Sequence, residues 1–227
     1  MRLRFVLEQT RQGKDDELAD ILAARDMVIA RYQPVFSPEH LPELTADEFK
    51  SFLSFTNNRH WSSIGRHATR LTSDMAALRR TLLVLVDESR PVGRRVTDVL
   101  ARNGAAKIPG LGKAVATPIL LLGNPEKYGV WNDPAEKGMR LLGIWPADES
   151  MTEGEKYERI VALLQRLCHD LSVDLWTLDA LWWRVVSLGI EKIYSVEEFE
   201  SALRTLEDLD ASDPLDVSRQ VAARVEQ

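Results

Sequence analysis

The chain has 227 residues, 44% of them hydrophobic and 28% charged, an ordinary globular balance that can bury a core without a metal or disulfide staple. One cysteine, Cys168, excludes an intrachain disulfide and, by count, a cysteine-held iron–sulfur cluster. The formal net charge of −6 argues at first against a nucleic-acid partner.

In chain order, nearly every segment repeats its apolar residues at helical spacing. Asp15-Asp16 precede Leu18, Ile21, Leu22, Met27, Val28 and Tyr32, an acid-started helix. Thr45-Ala46-Asp47-Glu48 is a capping box ahead of Phe49, Phe52 and Leu53. Asn57-Asn58-Arg59-His60-Trp61 follows as a polar and aromatic cluster between helices. A helix from about Thr72 to Val86 shows Met75, Leu78, Leu82, Leu85 and Val86 on one face, and another runs from Pro91 to Arg102, stopped by Asn103-Gly104.

After the hairpin region considered below, Asn132-Asp133-Pro134 starts a helix that Gly143 ends. Residues 146–151 are polar, a candidate joint between lobes. Thr152-Glu153-Gly154-Glu155 is a second capping box, leading a long helix to about Leu171 in which Cys168 occupies a core position. Asp174 starts a helix carrying Trp176, Asp179, Trp182 and Trp183; the adjacent Trp182 and Trp183 must face different directions. Ser195-Val196-Glu197-Glu198 is a third capping box, and Asp213-Pro214 opens a polar C-terminal helix. No strand is expected. The fold class is all-α, about ten helices forming one domain, with a lobe boundary near 146–151 as the alternative division.

The N-terminus lacks the apolar stretch of a signal peptide, and the longest apolar run, Ile119–Leu122, is too short to span a bilayer. A soluble, cytoplasmic setting without membrane contact is expected. His60, His67 and His169 have no metal-ligand spacing, so no metal and no cofactor is expected.

Charge is unevenly distributed. Residues 57–113 hold eleven Lys/Arg against four acids, a surplus of +7 that leaves −13 for the rest. Such asymmetry is a footprint of polyanion binding, although arginines also solvate helix faces. The stretch Ile108-Pro109-Gly110-Leu111-Gly112-Lys113-Ala114-Val115-Ala116 lies at the end of this segment. Lys107 and Ile108 are expected to close a short helix. Two glycines one residue apart permit positive φ and close approach of another backbone. The next helix begins with N–H groups that lack partners within it, beside the positive end of its dipole. Lys113 adds a cation. Such a hairpin grips a phosphate backbone without reading bases.

These residues resemble the helix-hairpin-helix DNA glycosylase superfamily, with its endonuclease III-like fold, over roughly residues 105–145. "IPGLGKAVATPILLL" runs into "NPEKYGVWNDPAEKGMRLLGI", and 23 residues separate Gly110 from Asp133, close to the family's hairpin-to-acid spacing. The resemblance implies base flipping and base excision. Its catalytic acid falls on Asp133 or, in the alternative register, on Asn132. Ala114 stands where bifunctional members carry their nucleophilic lysine, so a monofunctional enzyme, leaving an abasic site, is implied. Pro118 departs from the pattern and removes one helical hydrogen bond.

A carboxylate suits that chemistry because positive charge builds on the sugar as the glycosidic bond breaks. Asn132-Asp133-Pro134 is equally a helix cap. Ile108, Gly110, Leu111, Gly112, Lys113, Arg59 and Arg66 are the expected DNA contacts; Asn57, Asn58, Trp61, Tyr128 and Trp131 the expected base pocket. The layout also resembles stand-alone helix-hairpin-helix proteins encoded near restriction and phage-defence genes, which brings in a phage-modified base as substrate. Two other readings stay open. One is a non-catalytic DNA-binding module of a restriction or defence system. The other is a helical protein-interaction domain using the acidic C-terminal helices.

Overall fold

The computed structural model describes residue 8 and residues 16–193. Among these the chain forms ten α-helices and two 3-10 turns, and no strand. The helices are α1 (Asp16–Tyr32), α2 (Ala46–Leu53), α3 (Phe55–Asn58), α4 (Ala68–Leu71), α5 (Met75–Val86), α6 (Val92–Leu100), α7 (Lys113–Gly123), α8 (Asp133–Leu141), α9 (Glu153–Leu171) and α10 (Leu175–Ile193). The 3-10 turns are Leu41–Glu43 and Ser63–His67. The helices expected after Ser195 and Asp213 lie outside the described residues.

Helix starts follow their caps. Thr45 Oγ1 accepts from Glu48 N (3.2 Å) while Glu48 Oε2 accepts from Thr45 N (2.8 Å), closing the box that opens α2. Thr152 and Glu155 repeat this at α9. Asp74 caps α5 and Asn132 caps α8; Asp174 accepts from Thr177 N at the start of α10. The expected start at Thr72 shifts to Met75, because residues 68–71 form the separate turn α4 and Asp74 supplies the cap.

The first arm of the expected hairpin is absent. Residues 101–112 form turns, not a helix ending at Ile108. Gly104 lies over the end of α6, where a Cβ would meet Asp98 O at 2.3 Å. Ala106 N donates to that same carbonyl (2.9 Å). The backbone is consumed in capping α6 instead of starting its own helix.

One apolar cluster runs from Leu18 to Val185, with members from before and after residues 146–151. Two glycine contacts position its helices. A Cβ at Gly154 of α9 would stand 1.9 Å from Gly93 O of α6, so those backbones touch. A Cβ at Gly138 of α8 would meet Trp182 Cε3 of α10 at 2.5 Å, so α8 packs closely against the middle of α10. Trp176 Nε1 donates to Ile21 O (3.1 Å), tying α10 to α1. No helix among the described residues is long and apolar enough to cross a membrane.

Candidate functional site

Gly110 has φ +94°, a conformation that the absence of a Cβ permits, and it packs beside Arg70 and Leu71. Gly112 has an extended backbone (φ −107°, ψ 178°), and a Cβ there would meet nothing within 4 Å. Positive φ is therefore needed at the first glycine only; the second leaves open space in front of α7. No side chain caps α7. Leu111 does not face outward as a DNA contact would. It is 1% exposed and anchors the turn in the core, because its apolar side chain gains more from burial than from display. Ile108 is partly buried against the same core.

Six of the eleven cations in residues 57–113 are committed within the protein. Arg79 donates to Leu44 O; Arg90 and Arg94 pair with Asp98. Arg95 is 1% exposed and serves Leu85 O, Arg90 O, Glu88 and Tyr128. Lys107 donates to the carbonyls of Leu100 and Leu111. Lys113 contacts Glu136 (2.6 Å) and Asp133 (3.6 Å) and lies over the Trp131 ring. Arg59, Arg66 and Arg70 are exposed and make no ion pair among the described residues. Arg70 was not singled out from sequence as a contact, yet it stands beside Gly110.

A small open cleft with about 70 Å³ of room lies beside this surface. His60, Trp61, Arg66, Ala114, Asn132, Asp133, Asp179 and Trp183 are among its lining residues. The start of α7, the start of α8 and the middle of α10 thus meet where the 57–66 segment crosses them.

At its base is Asp179, 4% exposed. Its Oδ2 accepts from Trp61 Nε1 (2.8 Å), and its Oδ1 from Asn132 Nδ2 (3.1 Å). His60 Nε2 lies 2.8 Å from Oδ2, but out of line for a hydrogen bond, and His60 Nδ1 has no partner. The His60 side chain is 3% exposed and stacks on Trp176 with ring centroids 4.6 Å apart.

The register at α8 resolves into two roles. Asn132 Oδ1 accepts from Ala135 N (2.8 Å), so Asn132 is the cap. Asp133 is the first helical residue and has no capping bond; its side chain is 69% exposed at the cleft. Burial pushes the nearby Glu136 carboxyl up, but hydrogen bonds from Lys113, Arg140 and Trp131 outweigh that and hold it at about 2.

Of the expected base-pocket residues, only Trp61 lines the cleft, edge-on to Phe52 and Trp176 with its indole N–H directed at Asp179. Asn58 is fully buried and fixes the loop: its Oδ1 accepts from His60 N and Trp61 N, and its Nδ2 donates to Phe52 O and Trp61 O. A buried amide takes every backbone partner within reach, leaving none for a base. Asn57 is bound to Ser51 and Arg31. Tyr128 is buried against Arg95 and Glu88, where it borders a different hollow together with Gln33, Phe36 and Asn124. Trp131 is buried, with its indole N–H on Glu136. Trp182 is core, and Trp183 borders the cleft.

Asp179 is a carboxylate of the cleft that was not among the expected site residues. Its signal was an acid inside an otherwise apolar helical face. No group of three or more His, Cys, Asp or Glu suited to a metal exists among the described residues. Burial pushes the Cys168 thiol up to about 12, as suits a packed side chain. No family model, curated protein or solved structure matches the chain.

Proposed function

We propose that this protein is a monofunctional DNA glycosylase: it holds the DNA backbone at the 110–113 turn and removes a modified base in the adjacent cleft. The observation that carries this reading is the meeting of α7 and α8 at one cleft, with Ala114, Asn132 and Asp133 all on its wall. The uncapped start of α7 and the open space at Gly112 suit a phosphate group. Arg59, Arg66 and Arg70 supply cations that no internal carboxylate occupies. Trp61 and Trp183 offer apolar surface to an extruded base.

In this reading Asp133 faces the sugar, and the developing positive charge on C1′ is drawn to carboxylate. Water adds to C1′, the base departs with the electrons of the glycosidic bond, and an abasic site remains. Ala114 offers no amine for a Schiff base, so no strand cleavage accompanies release. The test is incubation with duplexes carrying a panel of modified bases, phage-type modifications included, followed by alkali. Alkali-dependent breaks that vanish in D133N support the reading; their persistence in D133N removes Asp133 from the role.

A non-catalytic DNA-binding module is the second reading. Asp133 favours it, being largely exposed and within 3.6 Å of Lys113, an arrangement that also serves to hold α7 and α8 together. DNA binding without base release from any duplex supports that alternative.

A further inference from the structure

Resting on the glycosylase reading, we infer that Asp179 is a second catalytic residue: the buried carboxylate that stabilises the cationic sugar, with Trp61 and Asn132 as its positioning residues. Asp133 and Asp179 share the cleft but not an environment. Asp133 is mostly solvated, so water screens its charge; Asp179 is 4% exposed, where a charge acts through a lower effective dielectric. Pre-organised charge at a desolvated site is the larger source of transition-state stabilisation.

Three elements hold this carboxylate. The indole N–H of Trp61 and the amide N–H of Asn132 fix its two oxygens from the 57–66 segment and the start of α8. Neither donor carries a charge, so neither neutralises it. His60 is the unexplained member of the cluster. It is buried in the cleft wall, within 2.8 Å of Asp179, yet neither ring nitrogen has a hydrogen-bond partner. Its Nε2 pairs with Asp179 when the ring is protonated, while Nδ1 is left without a partner, which costs stability. The cleft wall carries two carboxylates, and Lys113 stands beside Asp133 only, so Asp179 is the one of the two with no lysine or arginine ion pair among the described residues.

No bond is made to Asp179 in this step. The C1′–N bond breaks, its electron pair leaves with the base, and the carboxylate offsets the positive charge until water adds to C1′ and releases a proton to solvent.

The test compares two abasic-site duplexes, one carrying a cationic pyrrolidine in place of the sugar and one a neutral tetrahydrofuran. Wild-type protein is expected to prefer the cation, and D179N to lose about 10²-fold of that preference, the scale of one pre-organised catalytic interaction. A merely structural role would change affinity for both duplexes alike and leave their ratio at the wild-type value. Should D179N fail to fold, salt gives the second measurement on wild type. The cation-to-neutral ratio at a buried carboxylate holds between low and high salt, whereas at an exposed Asp133 it collapses. A preference that survives D179N, or a ratio that collapses with salt, overturns the assignment to Asp179 and leaves the glycosylase reading standing. No preference for the cation in wild type overturns both.

Discussion

Asn132 Nδ2 donates to Asp179 Oδ1 at 3.1 Å, joining two side chains 47 residues apart in sequence. The same Asn132 caps α8 through its Oδ1. One amide thus sets where the helix carrying Asp133 begins and holds the buried carboxylate across from it. An aspartate at 132 would do the first task and not the second, since a carboxylate has no N–H to give.

This complementarity predicts the behaviour of a swapped pair. N132D places two carboxylates side by side in a half-buried setting and is expected to destabilise the fold by about 1–3 kcal/mol. D179N costs a similar amount, by setting amide N–H against the Trp61 or Asn132 donor. The double variant N132D/D179N restores one donor and one acceptor and should recover about 1 kcal/mol or more relative to additivity. Urea denaturation of all four proteins measures this; additive losses would show that the contact is energetically idle.

Replacing Arg66 and Arg70 by alanine should weaken binding to unmodified duplex DNA and lower the slope of log affinity against log salt by about one per arginine. Both side chains are exposed and unpaired among the described residues, so stability should stay within about 0.5 kcal/mol. An unchanged salt slope would move the DNA surface elsewhere.

Two glycines should respond in opposite ways to alanine. At Gly154 a Cβ falls 1.9 Å from Gly93 O and 2.4 Å from Thr97 Oγ1, so G154A must part α6 from α9, at a cost of about 2–4 kcal/mol. At Gly112 a Cβ meets nothing and φ is negative, so G112A should leave thermal stability unchanged. Its added methyl stands in front of α7, so its DNA affinity should fall. Wild-type affinity in G112A would remove that open space from the DNA surface.

Glu136 predicts part of the acid response. Its carboxyl is held at about 2, below the ordinary 4.5, so the carboxylate is favoured in the fold. The sign follows: this stabilisation is complete above about 4.5 and declines as pH falls toward about 2. E136Q should therefore be less stable than wild type at pH 6, with the gap closing between pH 4.5 and 2. A gap constant across that range, in urea midpoints, would show that Lys113, Arg140 and Trp131 do not favour the charged form.

Cys168 should be inert in the folded protein. A thiol pushed from about 9 to about 12 holds roughly 10³-fold less thiolate at pH 8. Reaction with Ellman's reagent should be slow in buffer and fast in urea; equal rates would contradict the burial.

The sequence by itself determined the all-helical class and most helix starts. Capping boxes at Thr45 and Thr152, the asparagine cap at 132 and the 3.6-residue apolar repeat all act between residues a few positions apart, so the chain states them locally. The positive φ at Gly110 was legible for the same reason. Only the tertiary structure decided which polar residues were left for function. Asn58 and Tyr128 looked like ligand-facing groups in sequence but are spent on backbone and side-chain partners brought in by folding. Arg70 reached Gly110, and Asp179 reached Asn132, only through helix packing. A cap is satisfied by its neighbours in the chain; a buried polar group is satisfied by whatever the packed helices bring to it, and no local pattern records which partner that is.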